Sequence, residues 1–252
     1  MTPGPCRLAF AARAVGRRMG RWIRRIAGLG RRSAGRTASD YDARWRASLR
    51  AWLAYHQREV VFDRCRWMGV RVLKNPLDLW IYQELLHRVR PDRLVEIGSY
   101  EGGSTLFFAH LFDLLGHGAV ISVDRDRAPF VVRHPRIVEV TGDCAAPETV
   151  AKVAELCRGH KVLLVHDGEH AREAVLRDLR LYADLVAVGS YLIVEDGIVD
   201  LFPAGGAFGR LAAGPLEAIE AFLAERPDFR PDESCERYVL TYNPRGFLRR
   251  IR

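Results

Sequence analysis

Acidic residues are missing from the first 39 positions, which hold ten arginines and no lysine. The net charge of +8 therefore sits in an appendix, because residues 40–252 carry 29 basic and 31 acidic side chains. A near-neutral body has no general basic stripe, so a nucleic-acid partner is not expected. No apolar run approaches the roughly 20 residues of a membrane span. Cys6, Cys65, Cys144, Cys157 and Cys235 form no CxxC pair, which disfavours a disulfide framework and a zinc site and points to a reducing cytoplasm. None of the eight histidines is followed two positions on by an acid, as a non-haem iron oxygenase requires. A GxGxxG dinucleotide fingerprint is also absent from the glycine-rich turn.

The arginine-rich appendix has a pattern of its own. Leu8, Ala11, Val15, Met19, Trp22, Ile26 and Leu29 recur by threes and fours, and arginines fill much of the remaining surface. A basic amphipathic helix with a tryptophan suits the anionic inner face of a plasma membrane. Disorder, packing on the body or on another subunit, a transit peptide, and a start codon further along stand beside that reading. "RRSAGRTASD" (31–40) reads as a linker, giving three segments: the arm 1–40, N-terminal helices within 41–90, and a body over 91–252.

In the second segment, Tyr41–His56 has helical spacing. Pro76 opens a further helix with Leu77, Trp80, Ile81 and Leu85 on its buried face and Glu84 at its solvated edge. From residue 93 onward strand and helix alternate. Strands are predicted at 93–98, 119–124, 136–140, 161–167 and 191–196, and helices at 103–115, 148–158, 170–184 and 214–225. A short extended stretch near Phe229 and a strand at 236–243 follow. This alternation is the mark of an α/β fold: a doubly wound, mostly parallel seven-stranded sheet with helices on both faces.

Ligands of such sheets bind outside the carboxyl ends of the strands. The first turn reads "VEIGSYEGGS", with Glu96, Gly98, Gly102 and Gly103. An acid before the first glycine repels a pyrophosphate but accepts hydrogen bonds from an ammonium, which favours a cofactor with an amino-acid end such as S-adenosylmethionine. Asp124 ends the second strand, where a carboxylate can take ribose hydroxyls, and Asp143 in "TGDCA" lies where an adenine edge falls. A cap or turn former is the plain alternative for each.

The fourth strand ends in "VHDGEH" and the fifth in "YLIVED". Adjacent strands bring Asp167 beside Glu195 and Asp196, three hard carboxylates suited to Mg²⁺ or another hard divalent cation. Such an ion fixes an acceptor hydroxyl and lowers its pKa. His170 is the first choice of base and His166 the second, each weighed against a packing or capping role.

"NPLDLWIYQELLHRVRPDRLVEIGSYEGGSTLFFAHLFDLLG", "HPRIVEVTGD", "DGEH", "YLIVEDGIVD" and "ERYVLTYNPRGFLRR" together resemble the cephalosporin hydroxylase family, which includes rhamnosyl O-methyltransferases. The likeness runs from about Trp67 to Arg250. It implies a class I S-adenosylmethionine methyltransferase, with Mg²⁺ on Asp167, Glu195 and Asp196. The cofactor contacts it implies are Glu96, Gly98, Gly102, Ser104, Asp124 and Asp143, and His166 is counted with them. It also implies a homo-oligomer. The lysine that catechol-type enzymes carry after the metal aspartate is replaced here by Glu169 and His170. The expected reaction is O-methylation of a hydroxyl on a sugar or glycolipid. A soluble natural-product acceptor, a partner role in cephalosporin-type methoxylation, and a non-catalytic S-adenosylmethionine-binding scaffold are the alternatives. The glycine-rich stretch 200–214 is expected to shape the acceptor pocket, with Tyr100, Phe202 and Phe208 weighed as acceptor contacts.

Overall fold

A computed structural model describes Arg46, residues 48–201 and residues 213–252. The arm 1–40, the start of the helix expected from Tyr41, and the loop positions Phe202 and Phe208 lie outside the described residues. The chain divides into two compact units, residues 1–60 and 61–252. In the first, helix α1 (Leu49–Tyr55) starts at Ser48, whose hydroxyl accepts from Ala51 N at 3.2 Å. The boundary thus falls at residue 60, and the second helix belongs to the unit that holds the sheet.

In that unit a helical turn at Phe62–Arg64 precedes a two-stranded hairpin, β1 (Arg66–Trp67) and β2 (Val70–Arg71). Helix α2 (Pro76–Val89) follows, with Pro76 in its first turn and the Asn75 side chain capping Leu77 N at 3.2 Å. Then come β3 (Arg93–Ile97), α3 (Gly103–Leu115), β4 (Ala119–Asp124), β5 (Ile137–Thr141), α4 (Pro147–Cys157), β6 (Val162–His166), α5 (Arg172–Tyr182), β7 (Tyr191–Val194), α6 (Pro215–Glu225), β8 (Phe229–Pro231) and β9 (Phe247–Arg250). The seven-stranded sheet has the order β5-β4-β3-β6-β7-β9-β8. Its first five strands are parallel, and β9 runs antiparallel between β7 and β8.

Side chains alternate across the sheet with period two. Leu94, Val120, Leu163 and Ile193 join the core beneath α2 and α3. Val95, Ile121, Leu164 and Leu192 join the core beneath α4, α5 and α6. Burial on both faces explains the near-continuous aliphatic runs of β6 and β7.

Two expectations are corrected. The spacing predicts a strand over 236–243, but the last strand is β9. In the intervening stretch Val239 takes a left-handed φ of 68° and is 77% exposed. Polar contacts with α2 hold this stretch instead: Tyr242 N donates to Asp78 Oδ2 at 2.9 Å, and Asn75 Nδ2 donates to Leu240 O at 3.2 Å. The buried face of α2 is also rotated from the predicted one. Ile81 and Leu85 are buried as expected, but Trp80 is 58% exposed while Asp78 and Tyr82 are buried, because Asp78 meets Tyr242 N and Tyr82 meets Glu195 at the tip of β7.

Candidate active site

Register places the site. Ile97 pairs with His166, and His166 with Val194. Gly98, Asp167 and Glu195 are therefore the first residues beyond three adjacent strands. The chain at Gly98 comes so close to its neighbour that a Cβ there would stand 2.0 Å from Asp167 O, and its φ is 87°. Only glycine satisfies both conditions.

On the cofactor side, Glu96 is fully buried. Its Oε2 accepts from the Thr105 hydroxyl. Its Oε1 has no partner. A buried carboxylate oxygen without a donor is costly, and it fits the ammonium of an amino-acid-ended cofactor. Burial pushes the Glu96 carboxyl above its ordinary range, against the opposing pull of Lys74. Asp124 braces the glycine turn: Oδ2 accepts from Ser99 N and Tyr100 N, both at 2.9 Å, and Oδ1 from Asp126 N at 3.1 Å. A carboxylate has about four lone-pair sites, so ribose hydroxyls can still be accepted there. Gly102 has φ 87° and stands at the N-cap of α3, and Ser104 lies in that helix's first turn. Asp143 Oδ1 caps its own turn through Ala145 N at 2.9 Å. His166, in contrast, is 2% exposed, and its Nε2 lies 3.0 Å from Asp178 Oδ2. The strand alternation that turns Asp167 to the cleft turns His166 to α5.

On the acidic side, one oxygen each of Asp167 and Asp196 and one ring nitrogen of His170 lie within 4.8 Å of one another. His170 Nε2 is 3.1 Å from Asp196 Oδ2 and 3.7 Å from Asp167 Oδ1. Two carboxylates and an imidazole form a donor set that fits a divalent cation. Glu195 is not part of this group. Its Oε1 accepts from the Tyr82 hydroxyl and lies 2.8 Å from Lys74 Nζ, which also stands 2.7 Å from Asp167 Oδ2. Asn243 completes the frame, with Nδ2 3.3 Å from the Tyr82 hydroxyl and Oδ1 accepting from Asp196 N at 3.1 Å.

Electrostatics follow the contacts. Burial raises the Asp167 carboxyl, but Lys74 and His170 outweigh it and hold the pKa at about 2. Burial lowers the Lys74 ammonium, and Asp167 and Glu195 more than restore it, so it stays charged. Burial raises Glu195 well above its ordinary value, with Lys74 opposing and Asp167 adding. Burial also lowers His170, but the Asp167 and Asp196 carboxylates beside its ring raise it well above 6.5. The two carboxylates thus favour the charged ring.

Lys74, Tyr82 and Asn243 frame the candidate site, and pattern alone does not mark them. The one available signal is compositional: Lys74 is one of three lysines among 39 basic residues. Where the chain otherwise uses arginine, a compact ammonium suits a point between two carboxylates.

The family model for rhamnosyl O-methyltransferase/CmcI matches residues 59–251. The chain belongs to this family. A rhamnosyl O-methyltransferase of Mycobacterium leprae is 35% identical over 196 residues, covering 75% of this chain and 84% of that protein. One from Mycobacterium bovis BCG is 30% identical, covering 77% and 81%. A CmcI structure with Mg and SAM is 27% identical, with a TM-score of 0.60 over 77% of this chain and 79% of that one. Family membership makes the chain an S-adenosylmethionine-dependent O-methyltransferase with the class I methyltransferase fold. No helix among the described residues is long and apolar enough to cross a membrane.

Proposed function

We propose that this enzyme methylates a hydroxyl of a sugar, on a glycolipid of rhamnosyl type, with the help of a divalent cation such as Mg²⁺. The observation that carries the reading is the donor group of Asp167, His170 and Asp196, set beside the strand whose Glu96 Oε1 is buried and unpaired. Relatives named rhamnosyl O-methyltransferases support the acceptor class, and a CmcI structure with Mg and SAM supports the cofactors.

Glu96 would receive the cofactor's ammonium. Gly98, Gly102 and Ser104 would let the backbone come close to it, and Asp124 and Asp143 would meet its ribose and adenine. Asp167, Glu195 and Asp196 would hold the cation, with His170 set against Asp167 and Asp196. A bound cation supplies a Lewis acid that lowers the pKa of the acceptor hydroxyl, and the sulfonium cofactor supplies the methyl group. The protein's own part is alignment of hydroxyl and methyl at the tips of β6 and β7. His170 must release its proton before Nε2 can accept one from the acceptor or bind the cation. A lipid-tailed acceptor is presented at a membrane surface, which the basic pattern of residues 8–29 suits. A homo-oligomer belongs to the same proposal.

The test is transfer of a labelled methyl group from S-adenosylmethionine to a rhamnosylated lipid. Label should enter the sugar, disappear in EDTA, and return with Mg²⁺. Transfer that survives EDTA would remove the cation. Transfer only to a soluble natural-product hydroxyl would replace the acceptor.

A further inference from the structure

We propose that Asp178 and Tyr182 are positioning residues for the cofactor: from one face of α5 they hold the turn after β5, whose Asp143 meets the adenine. This inference rests on the adenine placement proposed above, and on neither the acceptor nor the cation.

Three features carry it. First, the turn 142–146 is gripped from α5 at a single residue. The Cys144 thiol donates to Asp178 Oδ2 at 3.2 Å, and the Tyr182 hydroxyl donates to Cys144 O at 2.7 Å. Residues i and i+4 share a helix face, so one stripe of α5 meets both the side chain and the carbonyl of Cys144. Second, the grip is dry. Asp178 is 1% exposed, and Tyr182 is fully buried. Burial pushes the Cys144 thiol up to about 12, with Asp178 adding, so the thiol keeps the proton that it donates. Asp178 is itself fixed, with Oδ1 accepting from Arg177 Nε at 2.8 Å and Oδ2 standing 3.0 Å from His166 Nε2. Third, the turn is pinned on its other side. Gly142 N donates to Asp124 O at 3.0 Å, and a Cβ on Gly142 would stand 2.4 Å from Thr149 Oγ1 on α4. Asp143 Oδ1 caps only its own turn, so its place relative to Asp124 follows from what holds Cys144.

The test uses the full chain, with S-adenosylmethionine and adenosine as probes in calorimetry, adenosine being read by competition. Tyr182→Phe and Cys144→Ala should each weaken both probes by about three- to tenfold, the worth of about one hydrogen bond. The loss should be equal for the two, because adenosine has the base and ribose without the amino-acid end. Cys144→Ser keeps a donor toward Asp178 and should bind within about twofold of wild type. A merely structural pair would lower the melting temperature and leave both affinities unchanged where the variants are folded, which overturns the proposal. Loss for S-adenosylmethionine alone overturns it as well, since the effect would then lie at the amino-acid end. A loss in Cys144→Ser equal to that in Cys144→Ala overturns the part given to Asp178. Should Tyr182→Phe fail to fold, the two Cys144 variants decide by the same thresholds. Unchanged adenosine affinity in Asp143→Ala overturns the adenine placement and the proposal with it. Weakened adenosine binding in Asp143→Ala, with Cys144→Ala and Tyr182→Phe unresponsive, overturns only the clamp.

Discussion

Glu195 and Asp196 are consecutive in the chain, yet their carboxylates share no partner. Glu195 Oε1 meets Lys74 and Tyr82, whereas Asp196 Oδ2 meets His170. The cause is where the strand stops. β7 ends at Val194, and Glu195 N still follows the ladder by donating to His166 O at 2.9 Å. Asp196 then turns to a left-handed φ of 58°. An aspartate tolerates that region better than most residues, and Asn243 holds it there. One residue of backbone thus separates a carboxylate that anchors from one that faces the cleft.

Tyr82→Phe tests the anchor. The change removes the donor to Glu195 and the partner of Asn243 Nδ2 while keeping the ring against Phe108 and Phe247. Leaving buried polar groups unmatched should lower unfolding free energy by about 1–3 kcal/mol. Urea denaturation measures it, and an unchanged midpoint would show that the contact is energetically idle.

Asp167→Asn tests the cleft. The amide keeps the shape but loses the charge shared by Lys74 and the proposed cation. Methyl transfer should fall by about 100-fold or more, in parallel with Mn²⁺ affinity. Activity lost with metal binding intact would assign Asp167 to another task.

Much of the fold was legible because it is local. The helix predicted at 103–115 has those bounds in the structure, and the strands at 93–98 and 119–124 agree within a residue. Aliphatic runs and helical periodicity encode these elements directly. The frame of the site is not local. Lys74 reaches Asp167 across 93 positions, Tyr82 reaches Glu195 across 113, and Asn243 reaches Tyr82 across 161. Other long-range contacts, Asp78 to Tyr242 N and Asn75 to Leu240 O, hold 236–243 out of the strand that its alternation suggests. Asp167 and Asp196 were legible as a pair because adjacent parallel strands align their tips. Glu195 differs from Asp196 in its contact with Lys74, which its place in the sequence does not reveal.

Gly98→Ala probes the close approach of β3 and β6. A Cβ would meet Asp167 O at 2.0 Å, at a φ that alanine avoids. The backbone must shift on both strands, so stability should drop by at least about 1–3 kcal/mol. S-adenosylmethionine affinity should weaken with it. Calorimetric titration beside thermal melting separates the two effects, and wild-type behaviour in both would refute the packing argument.

Asp78 gives the fold a pH dependence with a definite sign. Burial pushes its carboxyl up to about 6 from 3.8, although Tyr242 N and Asn75 donate to it. A folded pKa above the unfolded one means that the native state binds the proton more tightly. The associated stability is complete below about pH 4 and is lost as pH rises through about 6. A shift of this size corresponds to about 3 kcal/mol across that window. Asp78→Asn cannot titrate, so the stability difference between wild type and variant should decline from pH 4 to pH 7 and then level off. Urea unfolding at half-unit steps reads it directly. A flat difference would mean that the Asp78 carboxyl stays ionised in the folded protein down to its ordinary range.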